Sequence, residues 1–307
     1  MWWYVIMAWR RIYLLIIRGG SRWLRVWIGI EGMLLVAAPI ILTKQDRRNR
    51  ERTIKYFIVQ AASGGIVLAG VILSWTSVLG RGLVLKLGLW PAYYWVINVF
   101  RGISWYGIWW VGGVMKLPGW VFIDLCQWVW RLAVLSVVVG CVGGVYVANL
   151  KKLFAWSRVN HTGWVSIMAR LSVSWTRYFF IYLVLIGSLL YIFDEWEGIR
   201  VGQIRLISGV EVAILTIPLL SLAGIPPLAG FYLKWVAVWR LSHTILVLTI
   251  PLIVGLAARI FYYLQISVWR LIRVQNKPGT WIRLRLIRVA LMNGMGLLVL
   301  RLNIYEL

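Results

Sequence analysis

The chain has 307 residues, 62% of them hydrophobic, with a mean hydropathy of +0.82 and a formal net charge of +24. No water-soluble domain of this size needs so much apolar surface, and apolar windows of about 20 residues, enough to cross a ~30 Å hydrocarbon core, recur along nearly the whole length. The charge does not point to nucleic acid, because the basic residues fall mainly in short loops and at span ends, where they set topology and meet anionic headgroups such as those of cardiolipin.

The pattern predicts an all-α polytopic membrane protein of about eleven transmembrane helices. The first span, Trp2–Ile17, carries Arg10 and Arg11 and runs on without a cleavage site, so no removable signal peptide is expected. A second span, Leu24–Leu42, holds a single acid, Glu31, near its middle, and Thr43–Thr53 reads as an aqueous loop. The third, Ile54–Leu73, contains Ala61, Ala62, Ser63, Gly64 and Gly65, small residues that let helices approach closely. Leu83–Val96 follows, with Lys86 flanked by Gly88 and Pro91, and then Trp105–Val121 with Lys116 inside it and Pro118-Gly119 after it. Trp128–Tyr146 comes next, and Leu150–Trp164 leads into a short span ending near Leu171. Tyr178–Phe193 ends at the acidic turn Asp194–Gly198. Ile204–Leu222 enters a stretch interrupted by Gly224, Pro226, Pro227 and Gly230, with Lys234 just beyond. Thr244–Ile266, a basic loop at Arg270–Arg288 and Leu286–Leu300 complete the chain.

In hydrocarbon a broken helix leaves backbone N–H and C=O groups unpaired at several kcal/mol each, so a break survives only against protein or a wet cavity. Two breaks stand beside lysines, at Lys86 and at Lys234, about 150 residues apart. Paired interrupted spans in two halves, 1–146 and 147–307 of one transmembrane domain, are the mark of inverted repeats with a site near mid-membrane.

Arginine, with 25 residues, supplies the surface charge on this reading, while the 8 lysines include three within apolar segments, Lys86, Lys116 and Lys234. That division suits a proton relay, since a buried lysine can lose its proton near neutral pH and an arginine cannot; the alternative is that these lysines snorkel to an interface. Glu31 is either a structural counter-ion or a relay member, and Glu211 is a lesser candidate of the same kind. His161, near a span entrance, is either a relay group or a hydrogen-bonded packing residue, and His243 reads as an ordinary loop-edge residue. Cys126 and Cys141 lack metal or redox spacing and read as packing residues. No nucleophile–base pair, metal cluster or phosphate-binding glycine loop is present in the sequence.

An ordered set of motifs across about residues 27–235 resembles the chain 2 family of NADH:ubiquinone oxidoreductase, respiratory complex I. The stretches are Trp27-Ile-Gly-Ile-Glu31, Lys55-Tyr-Phe57 with Gln60-Ala61, Lys86-Leu-Gly88 with Pro91 and Trp95, and Lys116-Leu-Pro118. They continue with Gly143-Gly144, Leu150-Lys-Lys-Leu153 with Ala155 and Ser157, His161-Thr-Gly-Trp164, and Leu220–Gly230 with Lys234-Trp235. The resemblance implies the antiporter-like fold, in the animal form that lacks the first three helices of the bacterial subunit. It implies an input-side pair of Glu31 and Lys86, a central axis continued by Lys116 and His161, and a terminal Lys234. It further implies a proton-translocating subunit of the mitochondrial inner membrane, partnered by other membrane-arm subunits. FMN, iron–sulfur clusters and ubiquinone would belong to other subunits, with no cofactor or metal in this chain. The family often has His where Tyr93 stands and Pro-Glu where Ile97-Asn98 stands, and the C-terminal third matches only as hydrophobic spans. A free-standing cation/proton antiporter and a non-conducting structural subunit are the rival readings.

Overall fold

The computed structural model describes residues 22–41, 47–126, 128–147, 149–171, 175–195, 209–226, 228–244 and 246–271. The expected first and last spans, Trp2–Ile17 and Leu286–Leu300, the basic loop beyond Leu271 and the side chain of Glu211 lie outside the described residues. Every long element among the described residues is an α-helix. The chain divides into two compact units, Met1–Ser136 and Val137–Leu307.

The first unit holds α1 (Arg22–Ile41), α2 (Arg47–Ile72), α3 (Thr76–Leu87), α4 (Tyr94–Phe100), α5 (Trp105–Gly112), α6 (Leu117–Val121) and the start of α7 (Val129–Val145). α2 begins inside what the sequence reads as an aqueous loop. Arg47–Thr53 winds into its first turns, helped by Lys55 Nζ donating to Glu51 Oε1 at 2.5 Å one turn away. α2 and α3 form a hairpin through Ser74, where Gly82 lies against Val67 so closely that a Cβ would stand 2.8 Å from its side chain. α1 packs on α2 at Gly64, whose carbonyl accepts from Trp27 Nε1 at 2.8 Å. Past α3 the chain turns through a cis Trp90–Pro91 peptide, with Trp90 N donating to Ser136 Oγ at 2.7 Å.

The expected span Trp105–Val121 is itself broken. α5, capped by Ser104 Oγ accepting from Gly107 N at 3.2 Å, ends at Gly112, and a 3-10 turn at Val114–Lys116 separates it from α6. Gly112-Gly113 and Pro118 are the local cause, since neither residue type favours a continuous helix. Lys116 therefore also stands at a break.

The second unit holds the rest of α7, then α8 (Leu150–Arg170), α9 (Trp175–Glu195), α10 (Gly209–Ala223), α11 (Ala229–Thr244) and α12 (Thr249–Leu271). The expected lead-in at Leu150–Trp164 is instead the first two thirds of α8, one continuous helix capped by Asn149 Oδ1, which accepts from Lys152 N at 3.3 Å. α8 is buried along nearly its whole length although it carries Ser157, Arg158, Asn160, His161, Thr162 and Ser166. Gly140 of α7 admits the α8 backbone, since a Cβ there would stand 2.6 Å from Asn160 N. α9 and α11 pack on α8, and α12 packs against α10.

In both units the usual distribution is inverted. Lys86, Lys116, Arg158, His161, Lys234 and Arg259 are buried, while Ile54, Ile58, Val142, Phe180, Val254 and Phe261 face outward. A surface of that kind suits hydrocarbon rather than water. Among the described helices, one stretch, Asn49–Ile72 of α2, is both long and apolar enough to cross a bilayer alone. Shorter apolar helical stretches stand at Val129–Val145, Tyr178–Tyr191 and Thr249–Gln265.

Candidate functional site

A helix leaves its last four carbonyls without intrahelical partners, and in an apolar bundle each needs a donor. α3 ends in Gly88 at φ 67°, the left-handed conformation that favours glycine. Leu89 N then reaches Val84 O at 3.1 Å and Gly88 N reaches Leu85 O at 3.3 Å, the paired bonds of a Schellman turn. Trp95 Nε1 also donates to Leu85 O, at 3.0 Å. Two carbonyls remain, those of Lys86 and Leu87. A continued helix would offer Leu87 O the N–H of residue 91, but that residue is Pro91 and has none. Lys116 Nζ fills the vacancy, donating to Leu87 O at 2.7 Å, and Gln60 Nε2 donates to Lys86 O at 3.2 Å.

The end of α10 repeats this scheme. Gly224 has φ 92°, Ile225 N reaches Leu220 O at 3.3 Å and Gly224 N reaches Ser221 O at 3.1 Å. The carbonyls of Leu222 and Ala223 stand four residues before Pro226 and Pro227, so neither finds a backbone donor along the helix. Lys234 Nζ supplies both, at 2.8 Å to Leu222 O and 3.1 Å to Ala223 O. Its reach is set by Gly230, one turn earlier on α11, where any Cβ would collide with the Ser221 carbonyl. Gly230 N also donates to Ser221 Oγ at 3.3 Å. In both units the partial negative charge of a helix C-terminus faces a lysine.

Lys86 itself turns to α1. Its Nζ donates to Glu31 Oε1 at 3.2 Å, with side-chain exposures of 9% and 24% for the lysine and the glutamate. Gly64 makes this possible, because a Cβ there would occupy the place of the Glu31 carboxylate. Gly65, beside it in sequence, has open space where its Cβ would be. Tyr56 is buried against Trp95 with ring centroids 5.7 Å apart, and Lys116 Nζ lies 5.7 Å from the Trp95 ring. Of the positions where the family departs, Tyr93 stacks on Tyr94 at 4.5 Å and Asn98 points outward.

In the second unit His161 Nδ1 meets Tyr178 Oη at 2.7 Å, and its ring lies 3.6 Å from that of Tyr182. Its Nε2 accepts from Arg259 Nη2. His161, Tyr178, Tyr182, Ser221 and Lys234 line one small cavity, of a size for about one water molecule. His243 lies exposed on the last turn of α11 against Trp239, with ring centroids 5.0 Å apart.

The division of labour read from the sequence, arginine outside and lysine inside, does not hold. Arg158 and Arg259 are 1% and 0% exposed. Arg259 Nη1 donates to Asn160 Oδ1 at 2.5 Å and Nη2 to Ser157 Oγ at 3.4 Å, and Tyr263 Oη donates to Ser157 Oγ at 2.7 Å. Arg158 lies over the Tyr182 ring at 4.7 Å, while its Nε and Nη2 have no hydrogen-bond partner among the described residues. A lone charge within the apolar stretch Thr244–Ile266 was a signal for Arg259 of the same kind that singled out Glu31. Arg158, three residues before His161 on one helix, shares its face. Gln60, Trp95 and the tyrosines carry no such signal, since each is an ordinary packing residue type until its neighbours are known. Cys126 and Cys141 are buried free thiols, and Cys141 Sγ stands 2.8 Å from Asn160 Nδ2. Among the described residues no group of His, Cys, Asp and Glu is placed to hold a metal ion.

Glycine-terminated broken helices beside buried ionisable residues, inside an outward-apolar bundle, are features of the transporter-type class of membrane protein. Residues 76–258 match the family described as NADH:quinone oxidoreductase/Mrp antiporter, TM. NADH-ubiquinone oxidoreductase chain 2 of Patiria pectinifera is 31% identical over 283 residues, covering 82% of this chain and 79% of that protein. The chain belongs to this family. Its fold is similar to that of a chain in respiratory complex I from Thermus thermophilus, with a TM-score of 0.76 at 20% identity over 90% of this chain and 73% of the other. A chain of the Mrp complex from a Dietzia species gives a TM-score of 0.73 at 16% identity, over 84% and 58% of the two chains.

Proposed function

We propose that the chain is a proton-translocating subunit of the membrane arm of respiratory complex I, in the mitochondrial inner membrane. The observation that carries the reading is the Glu31–Lys86 ion pair at the end of a broken helix, within a bundle whose outer face is apolar. A charge pair in such a place is expensive, and its usual return is a titratable pathway. The proton relay starts at that pair, continues through Lys116 and reaches the site of His161 and Lys234. Redox energy released in other subunits acts here by changing the Glu31–Lys86 pairing. Withdrawing the carboxylate removes the attraction that holds charge on the lysine, and each tenfold change in proton affinity corresponds to about 1.4 kcal/mol.

On this reading residues 1–307 form a single transmembrane domain of about eleven helices, in two inverted repeats. The shared ending of α3 and α10, a left-handed glycine followed by prolines and a lysine-held carbonyl, supports the repeat. NADH, FMN, iron–sulfur clusters and ubiquinone are handled by partner subunits, and the basic loops meet anionic lipids such as cardiolipin. The test is the proton-to-electron stoichiometry of the assembled complex in liposomes. Full stoichiometry in both Lys86→Met and Lys234→Met complexes would end the relay reading and leave a bracing role. A free protein exchanging sodium for protons, with no co-migration with NADH dehydrogenase activity on native gels, would favour the antiporter.

A further inference from the structure

The contacts of His161 fix more than its position. A guanidinium has no lone pair and stays protonated, so wherever an arginine N–H meets an imidazole nitrogen, that nitrogen is the acceptor. Arg259 Nη2 donates to His161 Nε2, which is therefore unprotonated. The ring hydrogen then sits on Nδ1 and is donated to Tyr178 Oη, 2.7 Å away. His161 is a neutral imidazole whose one free lone pair is occupied by a cation that cannot leave its proton behind.

We propose that Arg259 is a positioning residue that gates His161: the histidine takes a proton only when the guanidinium withdraws. The inference rests on the relay reading above. The surroundings offer Arg259 a place to stay and a reason to move. Asn160 Oδ1, Ser157 Oγ and the Tyr263 ring hold it by dipoles alone, with no carboxylate among its described contacts. The groups around His161 are Tyr178 and Tyr182 from α9, Lys234 from α11, Arg259 from α12 and Arg158 on its own helix; Tyr263 stands at Arg259 with Tyr262 beside it, and Cys141 stands at the neighbouring Asn160. Protonating His161 in place would add a cation beside Arg158, Arg259 and Lys234. A proton arriving at Nε2 and the guanidinium leaving it are thus one event, with repulsion displacing Arg259. His161 and Lys234 line one cavity, so a proton taken by the histidine adds charge at the wall it shares with the lysine that holds the end of α10.

The test compares Arg259→Gln, Arg259→Lys, His161→Phe and the His161→Phe/Arg259→Gln pair in the assembled complex, with proton pumping per electron measured from pH 5 to 8. Arg259→Gln leaves Nε2 open, so its profile gains an inflection in the range of a free imidazole, near pH 6.5. Arg259→Lys, which keeps a cationic donor, lacks that inflection, and so does the double variant. A purely structural role for Arg259 would lower the amplitude without a new inflection. His161→Phe with full stoichiometry would remove the gate and the place of His161 in the relay, while the relay reading itself stands or falls with Lys86→Met and Lys234→Met; impaired His161→Phe with identical profiles for Arg259→Gln and Arg259→Lys would remove the gate alone. If Arg259→Gln fails to assemble, cryo-EM of the unaltered complex at rest and during turnover decides. Two positions of the Arg259 side chain, one of them off His161, are expected, and a single position in both states would overturn the proposal.

Discussion

At the Gly88 break the last two carbonyls of α3 are divided between Gln60 and Lys116, whereas at the Gly224 break both final carbonyls of α10 fall to Lys234. The first arrangement uses two lysines for two tasks. Lys116 holds the helix end, and Lys86 is free to pair with Glu31. The second gives both tasks to one residue, so any change in the charge of Lys234 is felt directly by the end of α10. The charge around them differs too. The first unit matches its lysine with a carboxylate, while the second gathers Arg158, Arg259, His161 and Lys234 with tyrosine rings and amide and hydroxyl oxygens. A compensated pair can be switched by separating it; a cluster with no carboxylate among the described residues would, on the proposed gate, be switched by moving one of its cations.

The largest effect that would break this comparison is expected from Lys234→Met. It strips the donors from two buried carbonyls, at about 1–3 kcal/mol each, so assembled complex on native gels should fall well below that of Lys116→Met, which strips one. Equal losses would mean that the two breaks are not held as described. Next in size is Glu31→Gln, which leaves Lys86 facing a neutral amide. Removing one partner of a fully buried pair costs roughly 3–5 kcal/mol, and the partial exposure of Glu31 reduces this. We expect a several-fold fall in pumping per electron with assembly largely kept. The Glu31→Gln/Lys86→Met pair should keep assembly at least as well as Glu31→Gln but not recover pumping.

Smaller still is Gly64→Ala. Its Cβ would displace only the flexible end of Glu31, so the complex should assemble while pumping falls part of the way toward Glu31→Gln. Gly65→Ala is the matched control: it meets nothing and sits mid-helix, where alanine is favoured over glycine by about 0.5–1 kcal/mol. Pumping in that variant should match the unaltered complex, and an equal defect in both would show that Gly64 acts through the helix rather than through Glu31. Gln60→Leu should cost about 1–3 kcal/mol for one unmade bond to Lys86 O, read as a lower temperature of dissociation, with Lys116→Met the more severe of the two.

The family and the helical class were legible in the sequence, because hydrophobic length and the spacing of Gly, Pro and Lys are properties of the chain itself. The helix starts were less so. Arg47–Thr53 is as polar as a loop yet helical, and Lys116 sits at a break hidden within an apolar run, since periodicity responds to average polarity and not to a local pair of glycines. The buried arginines were missed for a related reason: composition assigns arginine to surfaces, and only the packing of α8 and α12 overrides that.

The prolines mark the boundary between the two sources of information. Pro91, Pro226 and Pro227 lack N–H groups, so the sequence alone dictates that the carbonyls of Leu87, Leu222 and Ala223 lose their helical partners. Which side chains fill the vacancies is not local. Lys86 is near the first break and Lys234 near the second, yet Lys116, some thirty residues on in sequence, holds Leu87 O. Lys86 turns instead to an acid on α1. Donors are chosen by distance in space, and that distance is set by glycines at helix contacts, above all Gly64 and Gly230, whose missing side chains let one helix bring its charge to another.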